Sequence, residues 1–282
     1  MPEAIHHSRR ALAFLSEHCT GVAWERTSAY ATLFWSMSWA GDVKQVREEL
    51  PQLLREGSAR GDAISLRLLG VVHIPYLSLD RPNECIREVE MALQTPARMG
   101  FDLQRYGAMW ELVDSYFYLG DYSRARNCLL EYWDAIITSF FLRVWRTLLV
   151  NSLILRGRSA LACWLDSPGD GLLRAEVEEY AKRLKRVGSP WCDPMSKVLR
   201  AGLAVGQRRI NDGARLLEEA SEEFERASLH AYAASARHFC GLLRGDERGR
   251  HLQQMATEYL KSQEVVNPEA FMRAHLPGKW AQ

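Results

Sequence analysis

The chain has 282 residues, with 36 Lys and Arg against 35 Asp and Glu, so its formal net charge is +1. That balance excludes a strong overall attraction to nucleic acid or to an anionic membrane, leaving only local patches. With 47% hydrophobic and 25% charged residues it has apolar surface enough for a core, and its length allows one large domain, two ordinary ones or a repeat array.

The first segment, MPEAIHHSRRALAF, holds an acidic residue and two histidines without a long apolar run, unlike a secretory signal. EAIHHSRRALAFLSE, with Ala4, Ile5, Ala11, Leu12 and Leu15, reads as the second helix of a hairpin whose first helix is missing. An open end of a helical array exposes its stacking face. The expectation is therefore a self-capping helix or an end covered by another subunit, a partner or a separate domain.

Turn signals then recur at intervals of about 40 residues, the spacing of stacked helix-turn-helix units. They fall at Gly41-Asp42, Leu79-Asp80, Gly120-Asp121 and Gly157-Arg158, with a further Gly-Asp at Gly245-Asp246. Ahead of the four turns the same offsets carry Leu33, Phe34 and Met37, then Val71, Val72 and Pro75, then Leu112, Val113 and Tyr116, then Leu149, Val150 and Leu153. These offsets make one helical face, and it is apolar each time. Six residues before each turn come Trp35, His73, Asp114 and Asn151, mostly polar.

The helices after the turns agree. Val43, Val46, Leu50, Leu53 and Leu54 form a stripe, with a kink expected at Pro51. NECIREVEMALQ follows with Asn83 as the expected N-cap, and Tyr122, Ala125, Leu129 and Trp133 share a face. AIITSFFLRVWRTLLVNSLIL is the most apolar region, but Arg143 and Arg146 interrupt it, which argues against a membrane span. RSALACWLD reads as a short second helix ended by Ser167-Pro168-Gly169. Beyond it, Leu173, Val177, Tyr180, Leu184 and Val187 are at helical spacing. A helix is expected to start at Ser189-Pro190, with serine as cap. Leu217, Ala220, Phe224 and Ala227 form the next stripe, and a last pair flanks Gly245-Asp246. Nothing alternates as a strand does. The six cysteines are spread along the chain with no CxxC, which fits free thiols in a reducing cytoplasm.

The segment YFYLGDYSRA resembles the tetratricopeptide repeat: Tyr116, Gly120, Tyr122 and Ala125 match its spaced positions and Leu112 its apolar one. Val113 replaces a small residue of that pattern, Ile137 replaces a frequent proline, and the units are longer. The resemblance implies an all-α, right-handed solenoid of antiparallel helical hairpins over 1–282. A sub-boundary is expected near 167–171, with regular hairpins over 1–167, less regular ones over 171–264 and a C-terminal tail over 265–282. HCTGVAWE (His18 to Glu25) and NPEAFMRAHLPG (Asn267 to Gly278) resemble segments of the C-terminal repeat region of large bacterial signalling proteins. Those carry a serine/threonine kinase domain, then an NTPase module, then such repeats. This chain has no GxxxxGK[ST], HRD or DFG, so the resemblance implies the repeat region alone.

No HExxH, GxSxG or SxxK marks a catalytic site, and no cofactor is expected. His230, His238 and Cys240 sit near one face, where capped or solvated histidines outweigh metal ligation. In the tetratricopeptide family the first helix of each hairpin lines the concave groove. The corresponding outward stripe here is Trp35 and Trp39, His73 and Tyr76, then Trp110, Asp114, Phe117 and Tyr118, then Thr147 and Asn151. Aromatic rings beside a few polar groups make a surface for a peptide or small ligand; the plainer alternative is that they pack neighbouring hairpins. Arg26, Arg67, Arg105, Arg143 and Arg146 recur in the first helices, where they either catch an acidic group or pair with local carboxylates. The reading is a non-enzymatic cytoplasmic interaction scaffold for a protein or peptide, such as a kinase or NTPase signalling protein. The alternative is a small-molecule effector-binding sensor module controlling a kinase or transcription regulator.

Overall fold

A computed structural model describes residues 1–59, 70–94, 103–140 and 144–280, and among them the regular elements are fourteen helices. The first half holds α1 (Pro2–His18), α2 (Ala23–Ala40), α3 (Val43–Ala59), α4 (His73–Ser78), α5 (Pro82–Leu93), α6 (Leu103–Leu119) and α7 (Tyr122–Thr138). The second holds α8 (Arg146–Asp166), α9 (Gly171–Val187), α10 (Cys192–Gly206), α11 (Ile210–Arg226), α12 (His230–Arg244), α13 (Glu247–Ser262) and α14 (Pro268–His275). From α1 to α13 each helix packs on its neighbour in the chain, as hairpin arrays do.

The stripes read from the sequence are the buried faces. Val43, Val46, Leu50 and Leu53 are buried in α3, Tyr122, Ala125 and Leu129 in α7, Val177, Tyr180 and Leu184 in α9, and Leu217, Ala220 and Phe224 in α11. Asp121, Asp170 and Asp246 cap the helices after their turns, each accepting a backbone N–H of the first turn. α3 runs through Pro51. α5 starts at Pro82 with Arg81 at its N-cap, so Asn83 lies inside the first turn and is not the cap. α10 begins two residues after Ser189-Pro190, with the Ser189 carbonyl accepting from the backbone of Cys192 and Asp193.

Gly157-Arg158 is not a turn. α8 passes through it for 21 residues, and Ser167 to Asp170 makes the turn instead. The glycine marks a helix crossing: a Cβ there would lie 2.7 Å from Leu199 Cδ1. Leu149, assigned to the inner face from that turn, is accordingly exposed. α8 is long and apolar enough to cross a membrane, but 83% of its most apolar window is buried inside the fold, the environment of a core helix.

The array then returns on itself. The C-terminus of α2 reaches α12 and α13, where the Tyr259 hydroxyl donates to the Gly41 carbonyl at 2.9 Å. Trp39 packs edge-on against Trp191 at 4.9 Å and against Tyr232 at 5.6 Å between centroids. Lys44 and Arg47 both pair with Glu264. α14 lies inside, against α6, α12 and α13. Phe271, Met272, Leu276 and Trp280 of this last segment are each 1% exposed. The Val266 N–H donates to the Ser78 carbonyl at 2.8 Å, and Arg273 donates to the Tyr118 carbonyl at 2.8 Å. One hydrophobic cluster therefore runs from Leu12 to Trp280. α1 packs on α2, and its Arg9 pairs with Glu49 of α3 at 2.7 Å; Ser8 and Leu12 are buried, Ala4, Ile5 and Leu15 half-buried, and Ala11 exposed.

Because Trp280 stacks on Phe239 within this core, Trp280→Ala should lower unfolding free energy by about 3–5 kcal/mol. Urea denaturation followed by circular dichroism measures this; a loss below about 1 kcal/mol would mean that the terminal segment is not integral to the fold.

Candidate functional site

The stripe read from the sequence as outward faces the interior instead, with Trp39, His73, Trp110, Asp114, Phe117, Tyr118 and Asn151 buried, and its two parts have different fates. In the lower part α14 fills the space. Phe117 is fully buried beneath the Arg158 guanidinium, 5.0 Å from its ring centre. The Tyr118 hydroxyl donates to Asp80 at 2.6 Å, and Tyr76 is half-buried against the core. These three do not reach either cavity described below.

Between the two parts lies a buried polar cluster. Asp114 accepts from Trp110 Nε1 at 2.8 Å and from Arg158 at 3.0 Å, with His73 Nε2 at 3.5 Å. Arg158 also donates to the Ala274 carbonyl, so the ion pair holds α14 to α6 and α8. Burial alone would raise the Asp114 carboxyl; the guanidinium, and then His73, overcome it and hold it at about 2. Burial pushes the imidazole of His275, beside this cluster, down to about 4. A cavity of about 30 Å³ adjoins these side chains, room for a water molecule or two. One turn before Asp114, Glu111 accepts from the Val72 N–H at 2.9 Å while its other oxygen is buried without a partner. Burial raises its carboxyl to about 8, against the opposing pull of backbone N–H groups.

In the upper part a cavity of about 670 Å³ remains. One wall is a face of α2 that carries Trp24, Ser28, Ala31, Thr32, Trp35 and Trp39 at successive helical turns. Opposite stand Trp110 of α6, Trp145, Thr147 and Asn151 at the start of α8, and Trp191 before α10. Six of the nine tryptophans of the chain thus surround one space. Their rings support one another, with Trp35 and Trp110 6.3 Å apart at 50°. Asn151 is 3% exposed and its amide donates to the Tyr106 hydroxyl at 3.0 Å, which leaves its oxygen uncommitted. Burial raises the Tyr106 phenol to about 12, so it stays a neutral partner.

Of the sequence-predicted stripe, Trp35, Trp39, Trp110, Thr147 and Asn151 line the large cavity, and Trp39, His73, Trp110 and Asp114 line the small one. Sequence reasoning missed Trp24, Ser28, Thr32, Trp145 and Trp191. The first three repeat at helical spacing with Trp35, a signal present in α2; Trp145 and Trp191 stand outside helices and carried none. Of the arginine series, Arg146 borders the large cavity and donates to the Val187 carbonyl at 3.0 Å, while Arg67 and Arg143 lie outside the described residues. His230 pairs with Glu225 at 2.8 Å, and no group of three His, Cys, Asp or Glu side chains that could hold a metal ion occurs among the described residues. No protein-family model matches the chain, and no curated protein or solved structure matches it.

A carboxyl raised in the folded state favours folding below its unfolded value of about 4.5 and loses that contribution as pH rises toward about 8. Glu111→Gln should therefore gain stability over the wild type by on the order of a few kcal/mol at pH 9 and almost none at pH 5. Asp114, already ionised throughout that window, adds nothing to the slope. Parallel denaturant curves for both proteins across this range would refute the assignment.

Proposed function

We propose that this chain is a non-enzymatic, tetratricopeptide-like sensory module that encloses a small organic molecule in the tryptophan-lined cavity. The half-open cavity of about 670 Å³ carries the reading, being of the size of a small-ligand pocket. Its wall fits that use, since indoles supply apolar contact while Thr147, Asn151, Ser28 and Thr32 supply a few hydrogen-bonding groups. A peptide lying along the inner face is disfavoured because α14 fills the lower half. In this reading the hairpins wind right-handedly, the protein is cytoplasmic, and occupancy is reported to a kinase or NTPase signalling protein, in line with the resemblance of His18–Glu25 and Asn267–Gly278. The absence of phosphate-loop and kinase motifs from the sequence supports a binding role over catalysis.

One observation favours the scaffold reading instead. Trp24 and Val144 border the cavity and are 63% and 58% exposed, so a partner protein inserting a side chain would find apolar contact at the rim.

Thermal-shift titration with fractionated metabolite extract separates the two. At saturation a ligand should raise the melting temperature by roughly 5–10 °C. Ser28→Trp, which fills the cavity from α2, should abolish the rise and leave the unliganded melting temperature within a few degrees. Absence of any saturable shift would sink the small-molecule reading and leave the scaffold.

A further inference from the structure

Charge in the wall narrows the ligand class, on the proposal that the large cavity is a small-molecule site. Among the described residues, the lining contains no Asp or Glu and a single charged side chain, the guanidinium of Arg146. The buried carboxylate bonded to Trp110, Asp114, belongs to the neighbouring cavity and is already paired with Arg158. Tryptophan faces attract cations through their quadrupoles, but a cation here would meet a like charge with no counterion, and bare burial of charge is costly.

The polar end of the cavity points the other way. Arg146 and Thr147 are the first residues of the 21-residue α8, whose N-cap Trp145 makes no side-chain cap. First-turn N–H groups and the positive end of the helix dipole lie there, beside a guanidinium that keeps donors beyond the one given to Val187. One turn on, the uncommitted amide oxygen of the buried Asn151 accepts from an N–H or O–H of a bound molecule. The wall is thus polarised: indoles along α2 and α6, a guanidinium at the start of α8.

We propose that the cavity takes a ring-bearing organic acid. Its apolar body lies between Trp35, Trp39 and Trp110, and its single carboxylate lies against Arg146 and Thr147. The acid group gives orientation as well as affinity, because the rest of the wall offers no second charged side chain.

The test is isothermal titration calorimetry with three compounds of one shape: 1-naphthaleneacetate, 1-naphthaleneacetamide and 1-naphthylmethylamine. The acid should bind at least tenfold more tightly than the amide, with the amine weakest. Arg146→Gln should erase the preference for the acid while leaving the amide unchanged, Arg146→Lys should keep part of it, and Ser28→Trp should block all three. Arg146 is exposed, so these variants should retain the wild-type melting temperature. If the amide or the amine binds as tightly as the acid, or if Arg146→Gln keeps the preference, the charge assignment is overturned and the small-molecule reading stands. If none of the three binds saturably, both are overturned.

Discussion

Closure of the hairpin array on itself is the constraint on which the rest depends. A helical array normally ends in two exposed stacking faces that need polar caps. Here the tip of the α2–α3 hairpin meets α12 and α13, so part of each end covers the other. The junction admits little variation. Gly41 has φ of +89°, and a Cβ there would lie 2.5 Å from the Tyr259 hydroxyl and 2.7 Å from the Ala231 nitrogen. Only a residue without a side chain both ends α2 in this conformation and lets the Tyr259 hydroxyl reach its carbonyl. The indole of Trp39, between Trp191 and Tyr232, makes the seam apolar, and Glu264 between Lys44 and Arg47 fixes its edge. Without this seam, the space beside α2 would be an open groove.

Closure leaves an interior that must be filled or kept, and the chain does both. α14 brings Phe271 and Met272 into the lower half, with Leu276 and Trp280 following it, and all four are 1% exposed. Its polar partner is costly: Asp114, Arg158 and His73 leave water together, and a buried ion pair seldom exceeds well-packed apolar side chains in net stability. What the pair adds is position. Arg158 reaches both the Asp114 carboxylate and the Ala274 carbonyl, so α6, α8 and α14 have one mutual register. Trp110, whose indole N–H is held by the same carboxylate, then has a fixed ring in the wall above. The polar cluster therefore belongs to both halves: it anchors the plug below and aims a tryptophan into the cavity.

Much of the architecture was legible because a two-helix unit repeats its physics. Apolar offsets ahead of Gly41 and Gly120, and stripes after them, follow from period 3.6 and need no knowledge of the partner helix. Gly157 misled for a reason equally physical. A glycine before a polar residue looks like a helix end, yet this one permits contact with Leu199 and its neighbour Arg158 is paired inside the core. Local sequence cannot distinguish a glycine that frees the backbone from one that admits another helix. The inward stripe was legible as a set of aromatic and polar positions, but its occupation was not. Whether Phe117 faces solvent or α14 depends on where a segment more than a hundred residues later is laid. Trp191 likewise enters the wall only because the array curves, and curvature is a sum of small rotations that no single hairpin reveals.

The persistence of the upper cavity is itself informative about α2. On one face of that helix Leu33, Phe34 and Met37 are between 0% and 2% exposed and belong to the hydrophobic core. On the face toward the cavity, the positions between Trp24, Trp35 and Trp39 are Thr27, Ser28, Ala31 and Thr32, all small. The same helix thus alternates close filling on one side with large rings spaced by small residues on the other. A sequence shaped by stability alone would place a larger apolar side chain at the half-buried Ser28, since each buried CH₂ contributes about 0.8 kcal/mol. Small residues between the rings leave space along this face, where the Thr32 hydroxyl donates to the Ser28 carbonyl at 2.9 Å. That pattern supports the proposed role of this face as the wall of a ligand cavity.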